Sequence, residues 1–450
     1  MNNRKPVYII VLMVWIALMA LPTTLYADAS NAISLEDAIA RALFTHDRIR
    51  EQHLLYEEAN DDYRMARADL LFHIDGAYGY TDMKKQPVMK SDGTNIPISH
   101  QTLYSWHADI VQPLFAGFGL TTQVKLKNLA REIKKLEIEQ AELDVISDVK
   151  KAYYQTLLYD KLLKTAEEAV ASLRSHVENA EKFHTQGLIP NTDLLKSRVG
   201  LANAEQERVK AQGAADISRS NLNLLLDNDI DALIQIQDVG QVPHVDIRRK
   251  DLIARALQGR PVMRALHMGL GSVGLTIKLS RSGYYPKVAL VGRYEQTGDN
   301  PSATNNDFSH ASNASLSVQA QWTLFSWGST TRQVSKAKHA YQAMEARIRH
   351  ISDGIRMEVR QSVMALAVAE KNIDTADLAL DQARENWRTT LLQYEQQVAT
   401  STDILDARAF LTQADTNYYQ SLYGYLIALG DLERAIGEKR LNEAYIKGVQ

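Results

Sequence analysis

The residues best placed to do chemistry occur twice. The motif TDLLKSR at Thr192–Arg198 returns as TDILDAR at Thr402–Arg408, displaced by 210 positions (402 − 192), so Asp193 is matched by Asp403 and Lys196 by Asp406. Each copy follows a break in a helical pattern, GLIPNT at Gly187–Thr192 and VATST at Val398–Thr402. Aspartates just past such a turn cap a helix N-terminus and oppose its dipole, which suits Asp193 and Asp403. Asp406 lies about one helical turn further in. Other chemistries find no support. GLGSVG at Gly269–Gly274 satisfies G-x-G-x-x-G but follows helical residues rather than a strand, so close helix packing explains it better than nucleotide binding. The 12 histidines show no H-E-x-x-H or paired-ligand spacing, and neither a Walker A nor a G-x-S-x-G motif occurs. With no cysteine, the chain offers no disulfide, thiolate metal site, catalytic cysteine or N-terminal lipid anchor. The expectation is a protein without catalytic, cofactor or metal residues.

The elements that position these motifs are duplicated as well. DAIARAL at Asp37–Leu43 returns as DLIARAL at Asp251–Leu257, 214 positions on (251 − 37). QPLFAGFG at Gln112–Gly119, with Pro113, Phe115, Gly117 and Gly119, is echoed by WTLFSWG at Trp322–Gly328, with Phe325 and Gly328. The order and near-constant offset divide the chain into a signal peptide (1–27), a first repeat (28–240) and a second repeat (241–450). The signal peptide is read from Arg4 and Lys5, an apolar run from Val7 to Leu21, and small residues including Ala27 and Ala29. At about 15 apolar residues the run is short for a membrane anchor, the competing reading. A net charge of −3 gives no bias toward nucleic acid.

Within a repeat the pattern is helix, hairpin, long helix, tip, helix. Ser34 and Asp37 make a capping-box-like start to a helix expected to reach about residue 69. From Leu71 the period changes to two: Phe72, Ile74, Gly76, Tyr78 and Tyr80 oppose His73, Asp75, Gly79 and Thr81. After a polar stretch, Tyr104, Trp106, Ala108 and Ile110 oppose Ser105, His107 and Asp109, giving a hairpin over 70–115. The second hairpin, over 284–326, sets Val288, Leu290, Gly292 and Tyr294 beside Ala314, Leu316, Val318, Ala320 and Trp322. Helical patterns over Leu120–Gln186 and Thr330–Gln397 follow, ~65 residues or ~100 Å each, the scale of a coiled coil. They turn at tips 187–192 and 397–402 into helices over Asp193–Leu226 and Asp403–Ile436.

A sheet with one wet face and one core face accounts for the alternation. Long strands with aromatics toward their ends also fit a transmembrane β-barrel, in which Tyr104, Trp106, Tyr284, Tyr285 and Trp322 would form interfacial girdles and His73 and His107 would line a wet lumen. Four strands cannot close a barrel, and open edges are costly in hydrocarbon. Three protomers would pool about 12 strands around a pore.

This arrangement resembles the TolC family of trimeric outer-membrane efflux and secretion channels, over essentially the whole mature chain from about Ser34 to Gly437. The resemblance rests on the repeat architecture, on PLFAGFG and TLFSWG at the strand-to-helix junctions, and on TDLLKSR and TDILDAR after the tips. It implies an α+β membrane protein: a long α-helical coiled-coil barrel plus a transmembrane β-barrel assembled from four strands per protomer in a trimer. Asp227–Arg248 and the C-terminus after Gly437 would form an equatorial belt. The implied partners are two further copies, outer-membrane lipid, a periplasmic adaptor and an inner-membrane transporter. YEQQVATSTDILDA at Tyr394–Ala407 matches the family's second tip, so Asp403 and Asp406 would ring the periplasmic aperture and Tyr394 would help hold it closed. Asp193 is the first-repeat counterpart of Asp403, while Lys196 replaces a second acid. Gln397 stands where a glycine is common, and Ala399 where some members carry a gate-locking arginine. Two other readings stay open: an outlet for protein secretion, and a soluble periplasmic coiled-coil adaptor or scaffold, which leaves the four strands unexplained.

Overall fold

The computed structural model describes residues 32–239, 244–245, 249–440 and 446–447, so the expected signal peptide lies outside the described residues. Ser34 opens α1 (Leu35–Thr45), its hydroxyl accepting the Asp37 N–H at 3.1 Å. The expected single helix to about residue 69 is in fact two. His46, extended at φ −67° and ψ 122°, ends α1 and caps α2 (Asp47–Ala68), its Nδ1 accepting from the Arg48 N–H at 3.2 Å. No glycine or proline marks this break, because the imidazole itself replaces the missing helical acceptor.

The chain then forms β1 (His73–Asp82), β2 (Val88–Ser91), β3 (Thr94–Pro97) and β4 (Thr102–Ala116). The polar stretch between β1 and β4 is more than a loop: β2 and β3 pair there as a small hairpin of their own. Its turn is Asp92-Gly93, with φ of 47° and 85°, the Asp-Gly pair that accepts two left-handed residues in a row. Next come α3 (Gly119–Thr185), α4 (Asn191–Leu225), β5 (His244–Val245), α5 (Arg249–Gly259), α6 (Pro261–Arg281), β6 (Lys287–Gly298) and β7 (Ser312–Gln321). The last elements are α7 (Ser329–Glu395), α8 (Ser401–Ile436) and β8 (Ile446–Lys447).

β1, β4, β6 and β7 form one antiparallel sheet in that order, so β4 and β6 join the two repeats while β1 and β7 are open edges. The helices are ordered in the same way. Near the sheet α3 packs on α2 and α6, and α6 on α7; beyond it α3 packs on α4 and α8, and α8 on α7. The sheet and both of these helical levels are therefore four elements wide, with first-repeat elements at one margin and α7 or β7 at the other, while α1 and α5 pack in between them on α3, α7 and α8. GLGSVG lies within α6, where a side chain at Gly269 would come within 2.9 Å of Met344 Cε and one at Gly274 within 3.7 Å of the Tyr341 ring. Close packing of α6 against α7 is its role.

The main core sits midway along the long helices. Val149 and Tyr153 of α3, Leu222 of α4, Leu252 of α5, Val359 and Leu366 of α7 and Leu432 of α8 meet there fully buried. The Tyr153 hydroxyl donates to the carbonyls of Ile33 and Gln237, tying the start of the chain to the inter-repeat linker, and β5 pairs with β8. Charged groups bind the repeats at this level. Lys150 pairs with Glu433, both about nine-tenths buried, while Arg434 reaches Asp144 at 2.8 Å and Glu358 at 3.3 Å. Equivalent bonds recur by repeat: Arg41 donates to Asn228, and Arg255 to Glu438. Among the described residues no helix is long and apolar enough to cross a membrane.

Candidate functional site

At the first tip α3 ends at Gln186, Gly187 takes φ 70°, and α4 starts after Pro190 without a side-chain cap. Asp193 lies in the first turn of α4, 3.9 Å from Lys196 Nζ. At the second tip Gln397 takes the same left-handed turn at φ 63°. Thr400 then caps α8 reciprocally: its Oγ1 accepts the Asp403 N–H at 3.3 Å, while Asp403 Oδ2 accepts the Thr400 N–H and hydroxyl at 2.7 Å each. Those two donors, the backbone one foremost, hold the Asp403 carboxyl below its usual range.

Asp406 is exposed and lines an apolar groove of about 890 Å³ between α3, α4 and α8, together with Leu195, Lys196, Val199, Gly200 and Leu405. Lys196 also donates to Thr402 Oγ1 at 3.2 Å, joining the two tips. Lys196 and Asp406, equivalent by repeat, thus share one groove. Tyr394 stands apart, 3% exposed, with its ring against His176 at 4.6 Å and Phe183 at 5.7 Å. Its hydroxyl accepts from Ser401 Oγ at 3.3 Å, and burial raises its pKa. The sequence reading missed His176, which occupies an apolar stripe with Leu173, Val177 and Ala180; a lone histidine on such a stripe was the available signal.

The junctions between sheet and long helices also depend on left-handed backbone, Gly117 and Phe118 at φ 58° and 65°, Trp327 and Gly328 at 50° and 76°. Gly117 has no alternative, since a Cβ there would lie 2.5 Å from the Ser282 carbonyl oxygen. Gly119 begins α3 against Ser282, and Pro113 and Phe115 flank a β-bulge. Phe115, Phe118 and Tyr285 stack edge-to-face at 5.3–6.3 Å, Phe325 lies 5.0 Å from Trp327, and Trp322 Nε1 donates to the Tyr284 carbonyl.

A second aromatic cluster occupies the loop end of the sheet: Tyr104 against Tyr80 at 4.9 Å, and Trp106 against Tyr294 at 5.4 Å. Nine residues (115 − 106) separate Trp106 from Phe115, or ~30 Å of strand before tilt. Between the clusters Ile74, Ile110, Leu316 and Val318 are exposed on one face. The other face carries His73, Asp75, His107 and Asp109, with Arg293 gripping Asp109 at 2.7 and 2.6 Å. An exposed apolar face flanked by two aromatic clusters and backed by a polar face has the pattern of a transmembrane barrel wall, whose apolar band is ~25 Å tall.

A family model described as "Outer membrane efflux protein" matches residues 38–228 and 252–438, once per repeat. Outer membrane protein TolC of Vibrio cholerae is 24% identical over 313 residues, covering 65% of this chain and 67% of that protein. The alkaline protease secretion protein AprF of Pseudomonas aeruginosa is 21% identical over 300 residues, 63% of this chain and 60% of its own length. Among solved structures, the Campylobacter jejuni CmeC outer membrane channel superposes with a TM-score of 0.78 at 16% identity, over 91% of this chain and 87% of that one. With the repeat, the four-stranded sheet and the long helix pairs in place, the match over both repeats settles the family: this chain belongs to the outer membrane efflux proteins.

Proposed function

We propose that three copies of this chain form the outer-membrane exit duct of a tripartite efflux system. The observation that carries this reading is the margin of the protomer. The sheet and the two helical levels on either side of the core are each four elements wide, with β1, α2 and α4 at one open margin and β7 and α7 at the other. Both helical margins bear exposed apolar stripes, Leu195, Val199, Val209, Ile217 and Leu224 on α4 and Met357, Met364, Val368, Leu378 and Leu392 on α7. Joining the α7 margin of one copy to the α4 margin of the next is a head-to-tail contact that closes as a ring. It also pairs β7 with β1, removing the sheet edges that hydrocarbon does not tolerate. The aromatic clusters would then mark the two membrane interfaces, and residues 1–27 would direct export.

The duct performs no chemistry; a periplasmic adaptor and an inner-membrane transporter would supply cargo at the tips. There Asp403 and Asp406 of three copies, with Asp193 beside them, would make a negative ring that favours cations. Combining Asp403→Ala with Asp406→Ala should weaken cation preference in planar bilayers, and unaltered selectivity would remove these residues from the aperture. Likeness to AprF, a secretion protein, supports a second reading in which the cargo is a polypeptide. A folded-protein substrate trapped in the duct by cross-linking would favour it.

A further inference from the structure

At the tip a single buried histidine of one helix touches two others and, through Tyr394, is linked to the fourth. His176 of α3 is 2% exposed, its Nε2 lies 3.0 Å from Ser197 Oγ of α4, and its ring packs on Tyr394 of α7. The Tyr394 hydroxyl in turn holds Ser401 of α8. Ser197 already donates its hydroxyl proton to the Asp193 carbonyl at 2.9 Å, so His176 Nε2 carries the hydrogen of the His176–Ser197 bond. Nδ1 is therefore the bare nitrogen, and it is buried without a partner. A second proton would have to sit there, as a buried cation whose new N–H has no acceptor.

We infer that His176 is the positioning residue that holds the four tip helices together, and that protonation of its Nδ1 releases them. The groups that touch the ring are Ser197 from α4 and Tyr394 from α7; Tyr394 is in turn met by Ser401 from α8 and Phe183 from α3, and the Asp193 carboxylate acts on Tyr394. Burial lowers the pKa of His176 from 6.5 to about 4. A loosened tip would restore the higher value. Between those limits the loosened form binds a proton that the packed form refuses, so packing is favoured above about pH 6.5 and weakens as pH falls toward about 4. From about pH 7 to about pH 5 the balance shifts toward the loosened form by up to ~20-fold per protomer. Asp403 titrates below its ordinary value and so responds in a lower window.

The inference deepens the channel reading, and its test keeps the two apart. The chain has no cysteine, so Leu188→Cys and Val398→Cys, both exposed tip residues, can carry spin labels in the full-length protein. The distance distribution between labels should broaden on acidification from about pH 7 to about pH 5. It should stay unchanged in His176→Gln, which keeps a donor toward Ser197, and in His176→Phe, which keeps the ring contact with Tyr394. An identical acid response in both variants, or none in the parent, overturns the inference and assigns any response to the aspartates. Labels that respond as expected in protein that conducts no ions would uphold the role of His176 and defeat the channel reading instead.

Discussion

In the first tip the left-handed residue is Gly187, and the helix that follows begins at Pro190 with no side-chain cap. In the second, Gln397 takes that conformation, and Thr400 and Asp403 cap the helix reciprocally. The junctions differ in a parallel way, Gly117 being crowded by Ser282 while its counterpart Trp327 is 90% exposed at nearly the same φ. Duplication thus preserves backbone shape while each copy distributes strain and compensation differently. A non-glycine residue in the left-handed region costs roughly 1–2 kcal/mol, and a reciprocal cap returns about 1 kcal/mol. At the second tip the two nearly balance.

The comparison breaks most sharply at the junctions. Gly117→Ala should cost about 3 kcal/mol, because strain and a backbone clash combine, whereas Trp327→Gly should raise thermal stability by up to about 1 kcal/mol, because it relieves a left-handed residue and gives up only an exposed contact with Phe325. Equal losses would show that crowding by Ser282 does not distinguish the two. A smaller effect is expected at the tips. Gln397→Gly should stabilise the second tip by about 1 kcal/mol, and Thr400→Ala should destabilise it by about 1 kcal/mol. Pro190→Ala, which removes no cap, should do little by the same measure, limited proteolysis at the tip. The smallest effect is pH-dependent. Because Asp403 titrates below its ordinary value, its contribution is present above that value and lost as pH falls through the lowered one. Asp403→Asn should erase this acid-limb change in tip proteolysis and leave the response near pH 6 to His176.

Period and punctuation in the chain exposed most of the architecture. Alternation over His73–Thr81 and Ala314–Trp322 marked strands, and long helical patterns over Leu120–Gln186 and Thr330–Gln397 marked α3 and α7, because those patterns follow directly from which face must be buried. The break at His46 was hidden, since a histidine seldom announces a cap, and β2–β3 was overlooked although Asp92-Gly93 advertised it. At the tips, the position just past the turn marked both Asp403 and Asp193 as caps; Asp403 makes one with Thr400, whereas the helix carrying Asp193 starts after Pro190 without a side-chain cap. His176 was invisible for another reason: its partners Ser197 and Tyr394 are 21 and 218 residues away (197 − 176, 394 − 176), and only packing reveals that its second nitrogen has none.

Joining copies would close the open margins of sheet and helices together. The most direct test is gel migration of the full-length protein extracted from outer membranes, with and without heating. Three joined copies should give an unheated band near three times the monomer mass that collapses to monomer on boiling. A water-soluble periplasmic species that migrates as monomer without heating would contradict it, since the four strands would then face water with their edges unpaired.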